Sequence, residues 1–239
     1  MRVNACNLLQ QSWFRVYWRG VFSVFLKIVI FVLGYFVFSV HGLIFKILGL
    51  LLLSFAFYSI SVIGIHSSGH NSLVRSFLAN RVLCYFFADL WAGLSSEWWI
   101  KRHSTHHQRT GIPAEFRKLP ALLVFLLSPF AAVAYVFVQS VRNSRKQIIF
   151  LLLFVAGFLL QLALFLPAVE LHWAFIAVII MRSLFAPVVL YVALHNHDDS
   201  RIYFDSFLTF FGGNDFLRYH KEHHRRPCVP ASLLPKIYG

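Results

Sequence analysis

The chain has 239 residues, of which 59% are hydrophobic and only 13% charged. An ordinary soluble domain carries roughly 25% charged residues, so this composition, with a mean hydropathy of +0.68, excludes one. The net charge is +13. Yet of the 22 Lys and Arg, all except Lys27, Lys46 and Arg182 fall outside the long apolar runs. That distribution fits an inner-face basic bias and contact with anionic headgroups, and argues against nucleic acid as a partner.

Residues 1–20 are polar and basic, with Arg15 and Arg19 set among Trp13, Tyr17 and Trp18, a composition suited to the membrane interface. Residues 21–40 form the first predicted span, interrupted only by Lys27, whose aliphatic stem lets its amine snorkel. This run is of span length and lacks a small-residue cleavage site, so it reads as a retained helix rather than a signal peptide. A tight His41-Gly42 turn leads into the second span, 43–65. At 1.5 Å per residue each covers about the 30 Å hydrocarbon core. Residues 82–95 are apolar but short and contain Asp89, which places them at the interface or buried. Residues 119–141, 147–169 and 171–194 are each long enough to cross.

Charge decides the parity. Three crossings in that stretch would place His66–His107 and His195–His224 on opposite faces. They would also put the basic loop Arg142-Asn143-Ser144-Arg145-Lys146 outside, where the other loops, His41-Gly42 and 167–172, are short and poor in charge. The positive-inside bias therefore assigns 119–141, which carries Pro129, to the inner face. The predicted architecture is an all-α integral membrane protein forming one domain over 1–239. It has two transmembrane helical hairpins, 21–65 and 147–194, interfacial segments at 82–95 and 119–141, a cytoplasmic histidine-rich cap, and both termini in the cytoplasm. Helices are the expected spanning elements because backbone groups in lipid must pair within their own segment. Cys6, Cys84 and Cys228 are scattered, with no CxxC spacing, and imply neither a disulfide framework nor a zinc ribbon.

Ten of the twelve histidines fall in four groups at predicted inner ends: His66 and His70; His103, His106 and His107; His195 and His197; His220, His223 and His224. Positions i, i+3 and i+4 share one helix face, so HxxxH and HxxHH spacings aim several imidazoles at one point. Such ligands need outer acceptors for their second nitrogens, and Glu97, Asp198, Asp199, Asp215 and Glu222 are the candidates. One HxxxH alone is weak evidence for metal; two HxxHH sets beside it on one face are strong. His41 and His172 lie near the opposite face and read as loop residues. Arg182, mid-span, reads as a snorkelling or internally paired side chain. Eight to ten imidazoles exceed the four ligands of a single zinc and suffice for two metals, while imidazole suits Zn, Cu, Fe and Ni alike.

Two stretches carry a resemblance. Trp99-Ile100-Lys101-Arg102-His103-Ser104-Thr105-His106-His107 with Thr110-Gly111-Ile112-Pro113 is similar to the second histidine box of the membrane fatty-acid desaturase superfamily. Arg218-Tyr219-His220-Lys221-Glu222-His223-His224, then Pro227, Val229-Pro230 and Leu234-Pro235, resembles its third box and tail. Ser67 follows His66 where the family often has Asp, and Gly111 stands where Asn is common. The resemblance covers 66–235 and implies two irons that activate molecular oxygen, with electrons from a ferredoxin or a cytochrome b-type partner. It implies ligand roles for His66, His70, His103, His106, His107, His220, His223 and His224, with His195 or His197 adding one more. The implied activity is desaturation of a fatty acyl chain lying between the spans and the 82–95 and 119–141 segments. The superfamily also holds lipid hydroxylases and carotenoid ketolases, the alternative on the same site, and some bacterial ketolases are similarly compact. A bacterial inner membrane is the expected location. A metal transporter is disfavoured, since transport sites lie near the bilayer midplane and these histidines lie beyond the span ends.

Overall fold

Runs of apolar residues can bury neither their N–H nor their C=O groups unpaired, and the helix satisfies both locally. The computed structural model describes residues 13–108, 129–186 and 220–225, with positions 229 and 233. Among these, every regular element is helical. They are α1 (Trp13–Ser39), α2 (Leu43–Gly69), α3 (Phe77–Tyr85), a π-helical segment (Phe86–Ala92), α4 (Ser96–Gln108), α5 (Pro129–Asn143), α6 (Gln147–Phe165), α7 (Leu171–Ser183) and α8 (His220–Arg225). Helices α1, α2 and α6 are long and apolar enough to cross a membrane. Helix α3 with the π segment qualifies only jointly with α4, across a bend of 108°.

Helix α1 is already helical at Trp13, eight residues before the predicted span, so the Arg and aromatic stretch of 13–20 belongs to the same helix. It turns at 40–42, where Gly42 adopts φ +112, into α2. The Lys46 amine, one turn into α2, donates to the Phe38 carbonyl at 2.7 Å and lies 4.6 Å from the Phe38 ring. A cation at a helix C-terminus both satisfies an orphan carbonyl and meets the negative end of the dipole. The two helices touch closely because two glycines face the contact. A Cβ at Gly34 would come to 3.0 Å of the Leu53 backbone, and one at Gly49 would crowd the Phe38 backbone.

Helix α2 is central: 61% of its apolar window is buried, against 17% for α1 and 22% for α6. The core around it comprises Phe31, Phe38, Leu53, Ala56, Phe57, Phe165, Ala174, Ala177, Val178 and Met181. The outer faces stay apolar and exposed, with Phe25, Leu33 and Phe36 on α1 and Ile148, Leu152 and Leu160 on α6. A soluble protein seldom leaves so wide an apolar belt uncovered, whereas lipid covers it without cost.

The segment expected at the interface or buried packs against α2. Phe87 packs over Gly64, and Trp91 stacks on Phe57 with ring centroids 5.4 Å apart. Seven residues of α2 separate those two levels, about 10 Å at helical rise. Space for this packing comes from Gly64 and from Gly157, where a Cβ would strike the Leu90 carbonyl. Gly93, in the left-handed conformation at φ +71, then reverses the chain into α4. The π segment is one extra residue per turn inserted at this point, a feature common where function needs a local kink.

Arg182 is internally paired. Its Nε donates to Gln161 Oε1 at 2.7 Å, and Gln161 Nε2 donates to the Trp91 carbonyl at 3.0 Å. The Tyr58 hydroxyl donates to the Arg182 carbonyl, and the guanidinium lies 5.2 Å from the Phe154 ring and 5.5 Å from that of Phe158. One polar network thus joins α2, the π segment, α6 and α7. Helix α5 is described from Pro129 to Asn143. The remainder of the predicted 119–141 and 171–194 segments, namely 119–128 and 187–194, lies outside the described residues.

Candidate metal centre

Helix α2 carries His66 in its last turn and ends at His70, whose N–H donates to the His66 carbonyl at 3.1 Å. That bond keeps the i, i+4 pair on one face although the helix stops there. The chain then turns through Asn71 at φ 57, a left-handed conformation that Asn tolerates better than most residues. Asn80, buried on α3, holds this turn with four hydrogen bonds. Its Oδ1 accepts from Leu73 N (3.2 Å) and Val74 N (3.0 Å), and its Nδ2 donates to the carbonyls of Val74 (2.6 Å) and Ser76 (2.9 Å). Ser72 adds a bond to the Ser67 carbonyl at 3.0 Å.

Helix α4 supplies the second group. Asp89 Oδ2 accepts from the Ser96 N–H at 3.1 Å, and Ser140 Oγ on α5 accepts from Ser95 N at 3.0 Å. These bonds anchor the N-terminus of α4, so the positions of His103 and His107 follow from its helical phase. Helix α8 supplies His223 and His224.

The result is a convergence of five side chains from three separate parts of the chain. His66, His70, His103, His107 and His223 each offer one nitrogen, and these five atoms all lie within 4.8 Å of one another. His66 and His223 are buried and the other three half-buried. Imidazole nitrogens sit about 2.0–2.1 Å from a bound metal such as zinc, so two ligands of one ion lie at most about 4 Å apart; the observed spread exceeds that by less than 1 Å. His103 Nε2 lies 2.8 Å from His70 Nε2 and 3.1 Å from His107 Nε2. A single Nε2 has one in-plane site, either hydrogen or lone pair, and serves one such neighbour at a time. A cation at the common point satisfies all the lone pairs together, so the donor set fits a transition metal. His224 stacks on His107 with centroids 4.2 Å apart.

The side chains of His106 and His220 are not among those described, and His195 and His197 lie outside the described residues, as do Asp198, Asp199 and Asp215. Glu97, a candidate outer acceptor, faces elsewhere: its Oε2 accepts from Arg145 N at 2.9 Å and contacts Ser144 Oγ at 3.5 Å. It ties α4 to the basic turn between α5 and α6. His172 is exposed and lies 3.4 Å from Glu170. Sequence reasoning passed over Asn80 and Trp99 as site residues. A lone Asn in an apolar helix just after Asn71-Ser72 was the available signal for the first. For the second it was the i, i+4 spacing of Trp99 to His103.

No curated protein and no solved structure matches the chain. A family model described as fatty acid desaturase matches residues 44–239, a range that takes in α2 to α8 and all four histidine groups. With that match covering most of the length and the histidines of α2, α4 and α8 meeting at one point, the chain belongs to the fatty acid desaturase family.

Proposed function

We propose that the protein is a membrane-bound, oxygen-dependent desaturase acting on a fatty acyl chain, with two irons held by its histidine groups. The observation that carries this reading is the convergence of five imidazole nitrogens where the end of apolar α2 meets the polar helices α4 and α8. His66, His70, His103, His107 and His223 supply lone pairs at the described cluster. His106, His220, His224 and one of His195 and His197 complete the set needed for a second ion. Bound iron supplies oxygen activation and the removal of two hydrogens from adjacent carbons. The chain's own residues do the rest. The buried rings of α2 and the π segment exclude water, and apolar walls on α2, α5 and the π segment hold an acyl chain in one orientation by burial and shape.

In the membrane, 21–65 and 147–194 form two hairpins, the histidine cap and both termini face the cytoplasm, and the π segment dips in and returns. Electrons come from a separate ferredoxin or cytochrome b-type protein, and the membrane is a bacterial inner membrane. The test is mass spectrometry of lipids from a host expressing the protein and supplied with carotenoid, against a His107→Ala control. New acyl chains short of two hydrogens, absent from the control, are expected. Oxygenated carotenoid or hydroxy-acyl products without new unsaturation would move the protein to the ketolase or hydroxylase branch. One metal or fewer per chain after reconstitution would refute the two-iron site.

A further inference from the structure

A metal ligand works only if its ring is held at one angle, because the lone pair lies in the ring plane. Trp99 precedes His103 by one helical turn on α4, and the two rings stack with centroids 4.4 Å apart and planes 17° apart. The same indole meets His66 and His70 edge-on, at 6.2 Å and 75° and at 6.4 Å and 72°. Its six-membered ring rests on Gly69: a Cβ there would come to 2.9 Å and 3.2 Å of two indole carbons and closer still to a third. The indole therefore fills the gap between the end of α2 and α4, in contact with three of the five converging histidines.

We propose that Trp99 is a positioning residue of the metal centre, fixing the ring plane of His103 by stacking and setting the approach of α4 to His66 and His70, with Gly69 as the clearance it requires. This rests on the metal-site reading above. An indole blocks rotation of the stacked imidazole about its Cβ–Cγ bond, and the rotamer entropy of the ligand is then lost on folding rather than on metal binding. Outer-shell partners of ligating histidines typically alter metal affinity about 10–100-fold when changed, and an aromatic plane acting through orientation belongs at the lower end of that range.

The full-length protein, purified in detergent and loaded with Co(II), separates this role from simple space filling. Trp99→Phe keeps a stacking plane and is expected to retain the wild-type Co(II) absorption bands and chelator-driven release rate. Trp99→Leu fills similar space without a plane. It is expected to shift those bands and to release Co(II) about 10-fold faster. Gly69→Ala, which displaces the indole, should resemble Trp99→Leu. If the Leu variant does not fold, the wild-type protein still decides: Co(II) should quench tryptophan emission, and Trp99→Phe should lose most of that quenched component. A Leu variant with wild-type bands and release rate, or equal quenching in wild type and Trp99→Phe, overturns the proposal. Failure of both Phe and Leu variants to hold Co(II) in the wild-type geometry overturns the stacking role as well. Absence of Co(II) binding by the wild type overturns the metal-site reading, and this proposal with it.

Discussion

Replacing Asn80 by Leu keeps a side chain of similar size and removes four hydrogen bonds at once. Each is worth about 0.5–1.5 kcal/mol net, and a buried N–H left without an acceptor costs about 1–3 kcal/mol. Leu73 and Val74, the two donors, are only partly buried. Water recovers part of the loss, leaving about 2–4 kcal/mol. For a chain of this size that is a fall in melting temperature of about 5–15 °C. The same turn begins at His70, so the variant should also lose iron to a chelator faster than wild type. Asn80→Asp keeps the acceptor and forfeits both donated bonds, and should fall between the two. Thermal unfolding in detergent and timed iron release measure both effects. A Leu variant that melts with the wild type and keeps its iron equally long would show that the 70–76 turn is held by something other than Asn80.

Three further outcomes are expected. Gly157→Val places a side chain against the Leu90 carbonyl and should abolish monodisperse protein on size-exclusion chromatography; normal elution would mean that α6 and the π segment do not touch. Arg182→Ala should destabilise by about 2–3 kcal/mol through its lost hydrogen bonds and packing. Arg182→Met, which fills the niche beside Phe154 and Phe158 without a buried charge, should cost less; equal melting temperatures would refute that ordering. His107→Ala and His223→Ala should each abolish activity and lower iron content while still inserting in the membrane, and full activity in either removes that residue from the ligand set.

Much of the fold could be read from hydropathy, because a span is encoded in uninterrupted apolar length, and 21–40, 43–65 and 147–169 all fall on long helices. The extent of α1 could not: polar Arg15 and Arg19 look like an end, yet a helix propagates through them without penalty. The packing of 86–92 was hidden for another reason. It depends on the missing side chains of Gly64 and Gly157, distant in sequence and silent in a local window. At the site, spacing exposed His66, His70, His103, His107 and His223, since i, i+3 and i+4 positions share a face whatever the tertiary packing. Trp99 and Asn80 act through contacts that form only after α2, α3 and α4 meet. Glu97 shows the converse: its charge and position suggested an acceptor near histidine, but a turn 47 residues further on holds it instead.

The five converging nitrogens come from residues near positions 66, 103 and 223, so a bound ion would act as a covalent staple does, closing a loop on the order of 100 residues between α4 and α8. For a disulfide, a loop of that size restricts the unfolded chain by about 4–5 kcal/mol. Metal loading would then double as a late step of chain assembly. It can occur only once the C-terminal segment has been synthesised, and a chain that ends early has neither the ligands nor the closure that would mark it as finished.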